Sequence, residues 1–334
     1  MIKWGIIGCG NVTEVKSGPA FNLVKDSKLV AVMRRNGAMA KDYALRHNVP
    51  RWYDDAEKLI SDPDINAVYV ATPPGSHAQY AIKAMKAGKA VYVEKPMAAN
   101  YSECEKMVRV SKQTGSPLFV AYYRRSLPGF LKVKNLIEQG AIGKPLHFSI
   151  RLLSPPHPDD FNNPLPWRVN PEISGGGYIY DLGSHQLDII DYFFGPINQV
   201  SSLAYNRKKL YEPEDFISAG FLCENGVTGD GLWDFGAPEY LREDKIIITG
   251  EKGKIDFSCF GFTPVKVVQD DIRRYYDFKR PPHVQQAFIQ SIVDELNGRG
   301  TCPGSLESAV RTSRLLDVIT KKESSKIATF APQN

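Results

Sequence analysis

Cysteine is scarce in this chain of 334 residues, with five in all: Cys9, Cys104, Cys223, Cys259 and Cys302. The count is odd, the spacing is wide and no Cys-x-x-Cys occurs. This argues against a disulfide framework or a zinc cluster, and it fits a reducing, cytoplasmic compartment. Long apolar runs are also missing. None reaches about 18 residues, and the first residues enter a strand-like Trp4-Gly5-Ile6-Ile7-Gly8 without a basic stretch ahead of a long apolar one. Neither a signal peptide nor a membrane span is expected, so the sequons Asn11-Val12-Thr13 and Asn100-Tyr101-Ser102 carry no message. Blocks of like charge are absent as well. Lys and Arg number 42 against 37 Asp and Glu, a net charge of +5, and they are scattered. Nucleic acid and membrane surfaces are therefore not the expected partners, and a small molecule is. There is no internal repeat and no low-complexity segment.

What the sequence does have is length and rhythm. At roughly 100–200 residues per domain, 334 residues predict two domains. A hydrophobic content of 43% suffices for full cores without metal or disulfide staples. Continuous apolar runs at 2–7, 29–33, 67–71, 90–93 and 117–120 alternate with helical patterns. The helices are read at 11–25, 37–47, 77–87 and 102–114, with Gly88 as a C-cap after the third. Strands alternating with helices at this spacing predict βαβ units, and the continuous runs predict a parallel sheet covered on both faces. After about residue 121 the rhythm changes. A helix at 128–139 leads to extended segments at 145–153, 197–205, 215–223, 226–235, 244–249, 254–258, 265–269 and 273–277. Helices at 182–193, 284–297 and 304–322 complete the pattern. The expectation is an α/β Rossmann-type domain over 1–121, followed by an α+β domain over 122–334 with a large, mostly antiparallel open sheet. Leu232, Trp233, Phe235, Ile246, Ile247 and Ile248 are expected to leave an apolar face on that sheet. Such a face would be covered by a second copy, giving a homodimer or homotetramer.

Gly8-Cys9-Gly10 falls where the first strand should meet the first helix. Glycine permits the tight turn and lets a pyrophosphate approach the backbone, while the amides of Asn11 and Val12 open the helix toward the phosphates. The third glycine of a dinucleotide fingerprint would fall at 13, which is Thr13. An ordinary glycine turn is the competing reading. At the end of the second strand, where an acid would hold the ribose hydroxyls of NAD, stand Arg34 and Arg35. Two guanidiniums suit a 2′-phosphate through charge-assisted hydrogen bonds, which predicts NADP(H) ahead of NAD(H); the alternative is a pair of solvated surface arginines. Glu94-Lys95-Pro96 ends a buried strand, so Lys95 is expected near the ligand crevice beyond the strand ends. Asp181 and His185 lie four apart, on one helix face, where a carboxylate can tune and orient an imidazole. They also suit a helix N-terminal acid and a satisfied histidine.

Together these residues resemble the Gfo/Idh/MocA oxidoreductase family across essentially the whole chain. The resemblance rests on Gly8-Cys9-Gly10, Ala71-Thr72-Pro73 with His77, Glu94-Lys95-Pro96, Tyr123-Arg124-Arg125 and Asp181-x-x-x-His185. It implies hydride transfer between nicotinamide C4 and a carbinol or carbonyl carbon of a sugar, cyclitol or related polyhydroxylated substrate. It further implies that Lys95 steadies the reacting oxygen, His185 exchanges its proton and Asp181 orients substrate or His185. Thr72, Pro73, His77 and Glu94 join the expected nucleotide site. Tyr123, Arg124, Trp167, Arg168 and His157 are candidates for substrate contact, with inter-domain packing as the other reading. His157 and Asp159 show no metal-ligand spacing, so no metal is called for. A non-enzymatic dinucleotide-sensing regulator would be expected to lose Lys95 or His185. An NAD-dependent redox-assisted glycosidase would hold its nucleotide tightly, against which Arg34 and Arg35 speak.

Overall fold

Six parallel strands build the first sheet: β1 (Ile2–Ile7), β2 (Ser27–Met33), β3 (Arg51–Tyr53), β4 (Ala67–Val70), β5 (Ala90–Val93) and β6 (Leu118–Val120). Their spatial order is β3-β2-β1-β4-β5-β6, the doubly wound order whose direction reverses between β1 and β4. The computed structural model describes residues 1–320 and the backbone of 328–329. Alternation along each strand gives the sheet two unlike faces. Ile7, Met33, Val68, Val70, Val91, Val93 and Val120 join an aliphatic cluster with Ala81, Met85 and Met107 of the covering helices. The opposite face is aromatic: Trp4 lies 4.9 Å from Phe21, and Tyr69 and Tyr92 stack at 4.8 Å in direct register. Both faces are dry, which explains why the strands read as unbroken apolar runs.

One local expectation needs correction, and one strand was not foreseen. The segment expected as one helix over 11–25 is two short ones, Asn11–Val15 and Ala20–Leu23. Pro19 has no N–H to continue a helix. A Cβ on Gly18 would lie 2.2 Å from both the Thr13 carbonyl oxygen and the Tyr43 hydroxyl, so the chain turns where only glycine fits. Edge strand β3 had no expectation at all. It is three residues long and only partly buried, too brief for periodicity to register.

Among the described residues the second sheet has nine strands, in the order β14-β13-β12-β11-β7-β10-β9-β8-β15. They are β7 (Pro145–Leu153), β8 (Ile197–Tyr205), β9 (Phe216–Cys223), β10 (Thr228–Asp234), β11 (Glu243–Gly250), β12 (Gly253–Phe257), β13 (Val265–Gln269), β14 (Ile272–Tyr276) and β15 (Ala328–Thr329). All neighbours are antiparallel except β7 and β10. Phe148 is fully buried and stacks on Phe194 and Phe221, each at 5.9 Å. Its register partner is Gly229, where a Cβ would lie 2.2 Å from the ring.

The expected apolar outer face does not exist as drawn. Trp233, Phe235, Ile246 and Ile248 are buried on the helix-covered side. Only Leu232 and Ile247 alternate outward, and around them the outer side carries His147–Asp230, Arg151–Glu243 and Lys245–Asp256 pairs. A period of two sends successive isoleucines to opposite faces, so a consecutive run cannot be one patch.

The chain groups into two units, Met1–Ser126 with Pro281–Ser313, and Leu127–Arg280 with the described residues from Arg314 on. The single boundary expected at 121 therefore misses a return: Gln286–Leu296 packs in the first unit, where Phe288 lies 6.0 Å from Tyr92. The last helix is Leu306–Thr320; the two further residues expected for it lie outside the described ones.

Candidate functional site

The carboxyl ends of β1, β4 and β5 stand side by side at the switch point, and each carries an expected site segment. After β1, the amides of Gly8 and Cys9 donate to the Met33 carbonyl at 2.9 and 3.1 Å. Gly8 has φ +93°, and a Cβ there would strike Thr72, so glycine is required twice over. Gly10 differs: nothing lies nearer to its would-be Cβ than the Gly8 oxygen at 3.9 Å, leaving room beside the turn for a ligand. The amides of Asn11 and Val12, first in their turn, have no helical carbonyl to bond. Buried Thr13 closes the turn, its hydroxyl accepting from the Gly10 amide at 3.0 Å and donating to the Gly10 carbonyl at 2.8 Å. These residues fit a pyrophosphate on the amides of Asn11 and Val12. Burial pushes the Cys9 thiol up to about 11, so it stays neutral beside that anion.

After β4, Thr72 is half-buried and Pro73 exposed. His77 does not line this surface. It is fully buried, its Nε2 facing the Thr72 carbonyl at 2.6 Å and its Nδ1 the Pro96 carbonyl at 3.0 Å. Burial lowers its pKa, against the opposing pull of the two carbonyls. Its role is to tie the loop after β4 to the loop after β5.

After β5, the Lys95–Pro96 peptide is cis and Lys95 is half-buried. Glu94 points inward and is only 6% exposed. Its Oε1 accepts from the Tyr69 hydroxyl at 2.5 Å and from the Gln285 side-chain amide at 2.6 Å. Its Oε2 accepts from the Lys95 amide at 3.2 Å. Gln285 in turn accepts from the Tyr92 hydroxyl at 2.7 Å. Burial, and then the Glu94 charge, holds the Tyr69 hydroxyl well above its ordinary pKa. Glu94 is thus a buried anchor beneath Lys95 rather than a surface for the nucleotide.

At the end of β2 the two arginines part. Arg34 is half-buried, and its guanidinium reaches over the glycine turn to the Cys9 carbonyl at 3.5 Å. Arg35 is exposed. Tyr123 and Arg124, in the turn Tyr123–Ser126 after β6, are both buried, with the guanidinium 5.1 Å from the Tyr123 ring centre.

In the second unit, Asp181 sits in a wide π-type turn, Ile179–Gly183, ahead of the helix Ser184–Phe194. The structure brings Asp181 to Arg168, whose Nε donates to Oδ2 at 3.0 Å. Arg168 also lies over the exposed Trp167 ring at 4.7 Å. His185 is 3% exposed, and its ring meets the Phe260 ring at 6.1 Å, edge to face. His157 is exposed, and its Nδ1 accepts the Asp159 amide at 3.2 Å. It shapes the proline-rich segment in which it sits.

Tyr69, Tyr92, Gln285 and Phe260 had no place among the expected residues. Tyr69 and Tyr92 left a signal, the repeated Ala-Val-Tyr-Val of β4 and β5, with Glu94 two residues past the second tyrosine. Gln285 left none, because its partner lies 191 residues away.

The first unit matches the family model described as the oxidoreductase family with an NAD-binding Rossmann fold, over residues 2–122. Residues 130–256 match the GFO/IDH/MocA C-terminal domain. The chain belongs to the Gfo/Idh/MocA oxidoreductase family. It is 40% identical to an oxidoreductase of Formosa agariphila over 95% of this chain and 98% of that protein. It is 26% identical to the trans-1,2-dihydrobenzene-1,2-diol dehydrogenase of Xenopus laevis over 85% and 82% of the two chains. A levoglucosan dehydrogenase solved with NADH and levoglucosan superposes with a TM-score of 0.85 at 23% identity, covering 97% of this chain and 96% of that one. This member is accordingly an NAD-binding oxidoreductase.

The phosphate turn is fastened to its neighbour by charge. Arg46 donates to both carboxylate oxygens of Glu14, at 2.8 and 2.9 Å, and His47 lies 2.7 Å from the same group. Hydrogen bonding from Arg46 lowers the Glu14 pKa to about 2. A carboxylate whose pKa falls on folding adds stability above its unfolded value, about 4.3, and loses it as pH falls toward the folded one. Glu14→Gln is therefore expected to lower the urea midpoint at pH 7. The gap to the wild type should close between about pH 5 and pH 2. A gap that is constant across this range would show that Glu14 acts without its charge.

Proposed function

We propose that this chain transfers hydride between a nicotinamide nucleotide, NADP(H) in preference to NAD(H), and a CH–OH or carbonyl carbon of a sugar, cyclitol or related polyhydroxylated substrate. The observation that carries this reading is Lys95, placed at the carboxyl end of β5 with its backbone held by buried Glu94, in the strand row that also bears the Gly8–Gly10 turn. The levoglucosan and dihydrodiol dehydrogenases among its relatives act on hydroxylated rings, in keeping with that substrate class. Bound nicotinamide supplies the hydride acceptor or donor. The amides of Asn11 and Val12 hold the pyrophosphate, which the absence of a side chain at Gly10 lets approach, with Thr72 and Pro73 in the loop after the neighbouring strand. Lys95 steadies the negative charge that develops on the reacting oxygen, and His185 exchanges that oxygen's proton. Asp181, held by Arg168, orients substrate hydroxyls. Arg168 and Trp167 offer hydrogen bonds and a stacking face, and Tyr123 with Arg124 supports the substrate wall. Lys95→Ala and His185→Ala should each cut turnover on the order of 10²-fold or more while NADPH binding is kept. The check is a panel of sugars, inositols and their keto forms followed by nicotinamide absorbance; near wild-type turnover in both variants would sink the assignment.

Cofactor preference rests on Arg34. An acid at this position accepts both ribose hydroxyls and repels a 2′-phosphate, and a guanidinium reverses that sign. Arg34 is partly buried and anchored over the glycine turn, so it is better placed than exposed Arg35. A charge-assisted hydrogen bond is worth roughly 1.5–3 kcal/mol, so Arg34→Ala should shift the ratio of NADP⁺ to NAD⁺ dissociation constants about 10- to 100-fold toward NAD⁺. A wild type that binds NAD⁺ at least as tightly, or an unchanged ratio in the variant, overturns the NADP assignment and leaves hydride transfer standing.

Self-association through the outer side of the second sheet belongs to the same reading. Its support is narrower than a continuous apolar face: Leu203, Tyr205, Leu232 and Ile247 point outward between the ion pairs. Light scattering at micromolar concentration should return a dimer or tetramer mass. A monomer mass ends this proposal.

A further inference from the structure

Gln285 has no exposed surface, yet it is a neutral polar residue whose side-chain oxygen and nitrogen are both committed. Its Oε1 accepts from Tyr92 at 2.7 Å, and its Nε2 donates to Glu94 at 2.6 Å. Its main chain is committed as well. The Gln285 amide donates to the Lys16 carbonyl at 3.2 Å, and His283, two residues earlier, places Nδ1 2.6 Å from the Val15 carbonyl. Val15 and Lys16 end the short helix that opens at the glycine turn. One three-residue stretch from far down the chain thus grips the exit of the phosphate turn with the Gln285 amide and the His283 ring, and the anchor beneath Lys95 with the Gln285 side chain.

We infer that Gln285 is a positioning residue that sets where Lys95 stands relative to the phosphate turn. A buried carboxylate needs its acceptor sites filled by donors. Oε1 of Glu94 has two such donors, Tyr69 and Gln285, and Oε2 holds the amide of Lys95 itself. Tyr69 and Gln285 approach from different elements, so together they fix the carboxylate in place, and the carboxylate fixes the backbone from which the Lys95 side chain starts. With Gln285 gone, Tyr69 alone sets the position of Oε1 and the carboxylate can pivot about that bond. A misplacement on the order of 1 Å in a catalytic group can cost about 10²-fold in rate. The inference rests on the proposed role of Lys95 for its catalytic consequence but not for its geometry.

The test labels lysines of the full chain by reductive methylation with ¹³C-formaldehyde and follows the dimethyl-lysine signals by NMR. Lys95→Arg identifies the Lys95 signal by its loss, and Lys254→Arg identifies a reference in the second sheet. Gln285→Met removes both side-chain hydrogen bonds at nearly constant length. It is expected to displace the Lys95 signal and its titration midpoint, leave Lys254 in place, and keep NADPH binding, because the bond to the Lys16 carbonyl is main-chain. If Gln285→Met does not fold, Gln285→Glu carries the test: it keeps an acceptor for Tyr92 and sets a carboxylate against Glu94, and the same displacement is expected. Tyr92→Phe retains the Gln285–Glu94 bond and should leave the Lys95 signal as in the wild type. An unmoved Lys95 signal in the Gln285 variants overturns the inference. So does an equal displacement in Tyr92→Phe, which would mark general loosening of the aromatic face. Full turnover in Lys95→Ala would instead remove Lys95 from the reaction, and the catalytic consequence of Gln285 with it, while a displaced NMR signal would still establish the clamp.

Discussion

A carboxylate taken out of water is the constraint on which the first unit depends. Glu94 is 6% exposed, and an ionised carboxylate at that depth is costly unless donors surround it. The donors come from three places in the chain. Tyr69 belongs to the neighbouring strand, Lys95 offers its own amide, and Gln285 arrives from 191 residues downstream. Meeting this one requirement explains why a stretch after residue 280 packs with a sheet that ends at residue 120. It also explains the aromatic face of that sheet, since the rings of Tyr69 and Tyr92 supply apolar area while their hydroxyls supply donors.

Much of the fold was legible because the signals were local. Unbroken apolar runs marked the buried parallel strands, the switch to polar alternation marked the second sheet, and turn residues marked the ends. The parts that escaped were long-range or short. Gln285 and the return of Gln286–Leu296 to the first unit follow from a tertiary demand that no window of sequence contains. Three-residue β3 falls below the length at which a period can be counted. The outer sheet face was misjudged for a different reason: Ile246, Ile247 and Ile248 were read as a patch, whereas their burial alternates with the pleat.

The site residues divide in the same way. Position along the chain was enough to place Gly8, Gly10, Thr72 and Lys95 at strand ends, because a doubly wound sheet has only one end where its loops converge. Position was not enough to separate residues that face a ligand from residues that hold those residues still. His77 and Glu94 share the motifs of the nucleotide site, yet one joins two loops through backbone carbonyls and the other anchors a backbone amide. Asp181 and His185 were paired by helical spacing. Asp181 sits in the wide turn Ile179–Gly183, where it also meets Arg168 from the proline-rich segment, and His185 lies in the helix that follows.

Thr13 shows why a degraded fingerprint need not mean a degraded site. The third glycine of the pattern serves close packing of helix on strand. Here the helix stops after Val15, so packing at position 13 is not what limits the approach; the limit has moved to Gly18, where a Cβ would strike Thr13 and Tyr43. Position 13 is then free for a side chain with a different task. The Thr13 hydroxyl takes up the Gly10 amide and carbonyl, so those two groups need no partner from outside. The amides left facing outward are those of Asn11 and Val12. The turn therefore presents a narrower and more definite set of donors than a glycine at 13 would leave, held at its far end by Glu14 and Arg46.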